Sequence, residues 1–135
     1  MAVVLSGTSS WGYDCVDTCA KSGLTPFCVG SASDNELLLN SSREHGKISE
    51  IWLGIVHRTQ DGRWLHTSSR CGMNASYTNW ADTEPTRRYG RDNCVLQKSD
   101  GTWKSVRCSS DRSCACSTLP GSVPNQVLQA IEAHR

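Results

Sequence analysis

Nowhere in the 135 residues does an apolar run approach the ~20 residues that a bilayer-spanning helix needs, so no membrane-inserting segment is expected in this fragment. The opening MAVVLSG has neither a basic leader nor a full apolar stretch and reads as the start of a mature fragment. Charge of one sign is equally lacking. With 14 basic and 13 acidic side chains, no global field draws the chain to nucleic acid or an anionic membrane, and charge-driven binding must come from a local patch. There is no internal repeat, and the G-x-S-x-G, H-E-x-x-H and P-loop patterns are missing, so the chain is not read as an enzyme. His45, His57, His66 and His134 are scattered without a metal-ligand spacing, and solvent-facing or turn positions are expected for them.

Cysteine is what the chain has in abundance. Eight of them point to an oxidising compartment, hence to an extracellular or cell-surface protein, because a reducing one rarely keeps so many thiols unless they bind metal or react. Two sequons, Asn40-Ser41-Ser42 and Asn74-Ala75-Ser76, fit that compartment. The length suits one domain with one core.

Along the chain, Ser10 to Ser22 is expected to form a first helix, capped by Ser10, with Trp11, Cys15, Thr18 and Cys19 on one face and Gly23 as its stop. Ser33-Asp34-Asn35-Glu36 has the form of a capping box opening a second helix that buries Leu37 to Leu39 and ends near Gly46. From Ile51 the texture becomes short apolar runs between turn-forming residues. Strands are expected over Ile51–Val56, Arg63–Leu65, Cys94–Gln97, Gly101–Cys108 and Ser113–Ser117, with Asp100-Gly101 as a hairpin turn. Thr67 to Asn93 lacks periodicity, and an irregular stretch of such length inside a compact domain is usually functional. After Cys116 comes a linker, STLPGSVP, and a short helix over Asn125 to His134 with Val127, Ala130, Ile131 and His134 on one stripe. This helix either docks on its own domain or is the stub of an oligomerising segment.

Cys15 and Cys19 share a helix face, and Cys114 and Cys116 share a strand face, each pair spaced by roughly 6–7 Å. A two-rung staple between the first helix and the last strand is therefore feasible. Cys94 and Cys108 flank the Asp100-Gly101 turn and could bridge neighbouring strands or the loop beside them, which leaves Cys28 and Cys71 to each other by elimination. Zinc held by the same two facing pairs is the alternative, but their C-x3-C and C-x-C spacings differ from the usual C-x2-C pairs.

Taken in order, Trp52-Leu53-Gly54-Ile55, Trp64, Tyr77-Thr78-Asn79-Trp80-Ala81, Glu84-Pro85-Thr86, Asn93-Cys94-Val95, Trp103, Cys108 and Cys116 resemble the C-type-lectin-like domain family. The likeness runs from about Trp11 to Cys116 and is loosest in the first third. It implies an α+β fold: two helices beside small antiparallel sheets, a long irregular loop region and disulfide staples. It also implies Cys19–Cys116 and Cys94–Cys108 bridges, and packing roles for Trp52, Trp80 and Trp103. The domain is expected over residues 8–118, with residues 119–135 as linker and C-terminal helix.

Sugar-binding members of that family hold calcium with a loop reading E-P-N or Q-P-D, an acid just before the next cysteine, and a strand reading W-N-D. Glu84 and Asp92 stand at matching positions, whereas Thr86 replaces the loop amide or acid, and Lys104 and Ser105 replace the strand's Asn and Asp. Calcium takes six to eight oxygens, several of them anionic. Two carboxylates beside an ammonium group suit an internal ion pair, Lys104 with Glu84 or Asp92, better than a cation site. No cofactor is expected, with calcium the alternative. Arg87, Arg88, Tyr89 and Arg91 add three guanidinium forks and an aromatic ring, a contact surface for carboxylate or sulfate, unless the loop is solvated and paired to Asp82, Glu84 and Asp92. The expected function is calcium-independent binding of a protein or anionic glycan through Glu84, Thr86, Arg87, Arg88, Tyr89, Arg91, Asp92 and Lys104. The alternatives are a calcium-dependent lectin and a purely structural module of a larger surface protein.

Overall fold

The computed structural model describes residues 3–44, 50–86 and 93–134. The chain opens not with a helix but with strand β1 (Val3–Trp11), followed by a 3-10 turn, Gly12–Asp14, and only then helix α1 (Cys15–Lys21). Ser10 therefore lies within a strand rather than capping a helix. The reason is pairing: β1 runs antiparallel to the last strand, β8 (Ser109–Ser117), with Val4 opposite Cys116 and Leu5 opposite Ala115, an alternative to helix that local periodicity does not reveal.

Helix α2 (Ala32–Glu44) starts two residues before the expected position. Ser31 Oγ accepts from the Asp34 N–H at 3.1 Å, and the Asp34 carboxylate accepts from the Gly30 N–H at 3.1 Å, so the cap uses the earlier serine. Its inward stripe is Asn35, Leu38, Leu39 and Ser42. The expected end at Gly46 lies outside the described residues.

The strand reading from Ile51 holds with shifted boundaries. The first run splits at Gly54 into β3 (Ile51–Trp52) and β4 (Ile55–Arg58). A Cβ on Gly54 would stand 2.8 Å from Thr67 Oγ1 and 3.0 Å from the Phe27 carbonyl, so a side chain has no room there. β5 (Arg63–His66) pairs with β4 in a two-stranded hairpin, its turn clamped by Arg58 Nη2 to Asp61 at 2.5 Å; that hydrogen bond holds the Asp61 carboxyl down to about 2. β6 (Cys94–Gln97) and β7 (Trp103–Val106) form a hairpin around Gly101, whose φ of 87° suits glycine. With β2 (Thr25–Pro26) also on β8, the main sheet runs β1-β8-β3-β6-β7, antiparallel except for the β3–β8 contact.

All eight cysteines are oxidised: Cys15–Cys114, Cys19–Cys116, Cys28–Cys71 and Cys94–Cys108, with no free thiolate for zinc. The two-rung staple thus joins α1 to β8. Trp52 and Trp103 are fully buried, and Trp64 and Trp80 pack against the core from its edge. Helix α3 (Asn125–Glu132) docks on its own domain, sinking Val127, Ala130 and Ile131 into the cluster built on Trp52, Val56 and the α1 cysteines, so that stripe is not available as an oligomer seam. His134 anchors the helix end, its Nε2 lying 2.7 Å from the His57 carbonyl, while its ring packs against Tyr13. His57 and His66 are buried, contrary to the expectation of solvent-facing imidazoles, because both lie on the β4–β5 hairpin that α3 and the long loop cover. Burial pushes the His66 imidazole below its usual range, with the Asp34 carboxylate acting weakly in the opposite direction.

Candidate functional site

The irregular stretch from Thr67 is held at several points before it reaches the residues of interest. Its first part is tied down by the Cys28–Cys71 bridge and by Ser69 N–H donating to the Ser122 carbonyl at 2.8 Å. Its second part follows β5: His66 N–H donates to Met73 O at 2.8 Å and Ala75 N–H to Trp64 O at 2.9 Å. A third contact straps it to β7. Trp103 N–H donates to Asn79 O at 2.8 Å and Ala81 N–H to Trp103 O at 2.9 Å, while Asn79 Nδ2 donates to Gly101 O at 2.9 Å. Aromatic rings fill the space below, with Trp80 at 5.5 Å from Trp64 and 5.8 Å from Trp103.

Under Trp103 lies a polar knot that the sequence reading did not foresee. Asn35 Oδ1 accepts from Trp103 Nε1 at 2.8 Å and from Gln97 Nε2 at 3.0 Å, and Asn35 Nδ2 donates to Gly101 O at 3.0 Å. All three side chains are buried, so α2 is locked to the β6–β7 hairpin on which the loop rests. The signal was present as an amide one turn before Leu38 and Leu39 on the inward stripe of α2.

The strap at Trp103 brings Glu84 beside Ser105. The Glu84-Pro85 peptide is cis, and Glu84 N–H donates to Ala81 O at 3.0 Å. Glu84 Oε1 accepts from Ser105 N–H and from Ser105 Oγ–H, both at 3.1 Å, and from Thr86 N–H at 3.2 Å. Thr86 N–H also reaches Ser105 Oγ at 3.0 Å. One carboxylate oxygen is thus occupied by donors from the loop and from β7. Lys104 does not take part. Its neighbours on β7, Trp103 and Ser105, point inward, so strand alternation turns Lys104 out to solvent, and no ion pair joins it to Glu84. Of the two expected partners of Lys104, Glu84 is instead met by serine and backbone donors, and Asp92 lies outside the described residues. Asp92, Arg87, Arg88, Tyr89 and Arg91 lie outside the described residues. The structure so brings Glu84, Thr86 and Ser105 together and sets Lys104 apart on the exposed face. Among the described residues, no three His, Cys, Asp or Glu side chains converge in a way that could hold a metal.

Comparison with known proteins bears on the whole assembly. The model of the Lectin C-type domain matches residues 8–118. The human protein C-type lectin domain family 4 member G is 27% identical over 101 residues, covering 71% of this chain and 31% of its own length, so the chain spans about a third of that relative. Among solved structures, the mouse scavenger receptor C-type lectin carbohydrate-recognition domain superposes with a TM-score of 0.71 at 16% identity, covering 86% of this chain and 88% of its own. Human lithostathine gives 0.71 at 19% identity, with 85% and 88% covered. A calcium-independent type II antifreeze protein gives 0.69 at 17%, with 86% and 84% covered. At such identities these structures establish the shared fold.

Proposed function

The chain belongs to the C-type lectin domain family, and from that premise we propose that it is an extracellular recognition module that binds without calcium. Its class is a disulfide-stapled binding domain; the ligand and the ion independence are our reading. The observation that carries it is the occupancy of Glu84 Oε1 by Ser105 and Thr86, where sugar-binding relatives would place an ion. Among the described residues Glu84 is the one carboxylate at that place, and Thr86 and Ser105 contribute at most hydroxyls. Even with Asp92 counted, two oxygen ligands of the family's site have become hydroxyls, which leaves the donor set poorer in anionic oxygens than a cation that takes six to eight oxygens, several anionic, prefers.

The ligand we propose is an anionic glycan or acidic protein surface, met by Arg87, Arg88 and Arg91 with Tyr89 for stacking and with Lys104 as an exposed ammonium group on β7. Two comparisons support the two halves of this reading: a carbohydrate-recognition domain shares the fold, and so does an antifreeze protein described as calcium-independent.

Binding to immobilised heparin and to a panel of neutral and sulfated glycans, in calcium and in chelator, tests both halves. The expected result is retention of anionic glycans that is unchanged by chelator, weakened by salt, and lost when Arg87, Arg88 and Arg91 are all replaced by alanine. Neutral sugar binding abolished by chelator would instead favour the calcium-dependent lectin, with Glu84, Thr86 and Asp92 as its residues.

A further inference from the structure

The two sequons differ in a way that only the fold reveals. Asn74-Ala75-Ser76 runs beside β5 and closes a tight turn: the backbone of Met73 accepts from His66, that of Ala75 donates to Trp64, Asn74 bridges to Leu65, and Ser76 N–H donates back to Asn74 O at 2.9 Å. Asn74 and Ser76 are both exposed on this turn, while Ala75 and Tyr77 pack partly buried against the core. Asn40-Ser41-Ser42 lies inside α2, where positions i and i+2 diverge: Asn40 is exposed, but Ser42 is 3% exposed and its hydroxyl donates to the Leu39 carbonyl at 2.7 Å.

We propose that Asn74 is an N-glycosylation site of this protein and that Asn40 is a poor one. The sequon requires the asparagine amide and the hydroxyl two residues on to be presented together, which the exposed turn at Asn74 does and the helix does not. In the step itself, Asn74 Nδ2 bonds to the anomeric carbon of a lipid-pyrophosphate-linked oligosaccharide. The anomeric C–O bond breaks, the lipid pyrophosphate leaves with its electron pair, and the amide gives up one proton; nothing is oxidised or reduced. The donor belongs to the secretory route in which four disulfides also form.

This inference rests on the extracellular reading but not on the ligand proposed above. The test is to express the full chain behind a secretion leader in a cultured animal cell line, map the disulfides by non-reducing peptide analysis, and measure occupancy at each sequon by mass spectrometry before and after peptide N-glycosidase, in both medium and cell lysate. With Cys28–Cys71 formed, occupancy at Asn74 should exceed that at Asn40 several-fold. Asn74→Gln and Ser76→Ala should each abolish most of the glycosidase-sensitive mobility shift, and Asn40→Gln should leave it unchanged. A disulfide-bonded chain that is bare at Asn74, or is occupied equally or preferentially at Asn40, overturns the proposal whatever the chain binds.

Discussion

At the scale of single residues, the candidate site turns on what stands beside Glu84. Ser105 stands where the family resemblance implies an acid in sugar-binding members, and it satisfies the Glu84 carboxylate with its own N–H and hydroxyl. Restoring the oxygen donors should reverse this. The triple variant T86N/K104N/S105D is expected to show a rise in melting temperature with millimolar calcium that the natural chain lacks, as a ligand bound to the native state alone must produce. An unchanged melt in both would show that these three positions are not what decides ion binding. His66 carries a second prediction. Burial depresses its folded-state pKa, so the unfolded chain binds the proton more readily. Stability from this group is complete above the unfolded value of about 6.5 and falls as the pH drops below it, so the melting temperature should decline from about pH 7 to pH 5. His66→Asn should flatten that decline; an equal slope in the variant would assign it to other groups.

Among the elements, α3 has the clearest consequence. Its stripe of Val127, Ala130 and Ile131 fills the space over Trp52 and Val56 as an integral part of the core. Ile131→Ala should destabilise the domain by about 2–4 kcal/mol in urea denaturation, the cost of a buried methylene cavity, whereas Leu128→Ala on the exposed face should cost little. Equal small effects would mean that the helix detaches readily. The stripe was legible from the 3.6-residue spacing, but its partner was not, since nothing local to residues 125–134 names Trp52. Likewise β1 has no local signature: Val3–Trp11 is held as a strand by β8, more than a hundred residues away for its first pairs. The α2 cap was misplaced because Ser31 and Ser33 both offer a hydroxyl before an acidic residue, and the one used is that whose Asp34 also reaches the Gly30 N–H.

For the molecule as a whole, the two disulfides from α1 to β8 are partly redundant. Cys15–Cys114 and Cys19–Cys116 close loops of separation 99 and 97 that nearly coincide. Once either exists, the other closes only a small ring. On the chain-entropy account, removing one pair should cost about 2 kcal/mol, while removing both should cost about 7 kcal/mol, well over the sum of the singles. Cysteine-to-alanine pairs, singly and together, measured by denaturant unfolding, check this; simple additivity would mean that strain or residual structure in the unfolded chain outweighs loop closure.

The sequence by itself determined the class of this protein: eight cysteines with paired spacings, an ordered series of tryptophans, and turn residues between short apolar runs are local or composition-level features, and they specify a stapled α+β domain of this family. It also marked Glu84 and Thr86 as positions of interest. Only the tertiary structure decided what those residues meet. Whether Glu84 pairs with Lys104 or with Ser105 depends on which way β7 alternates beside a loop held 21 residues away, and whether a sequon presents its hydroxyl depends on whether it falls in a helix or in an exposed turn. Such facts arise from contacts between segments distant in the chain, and periodicity carries no information about the partner on the other side.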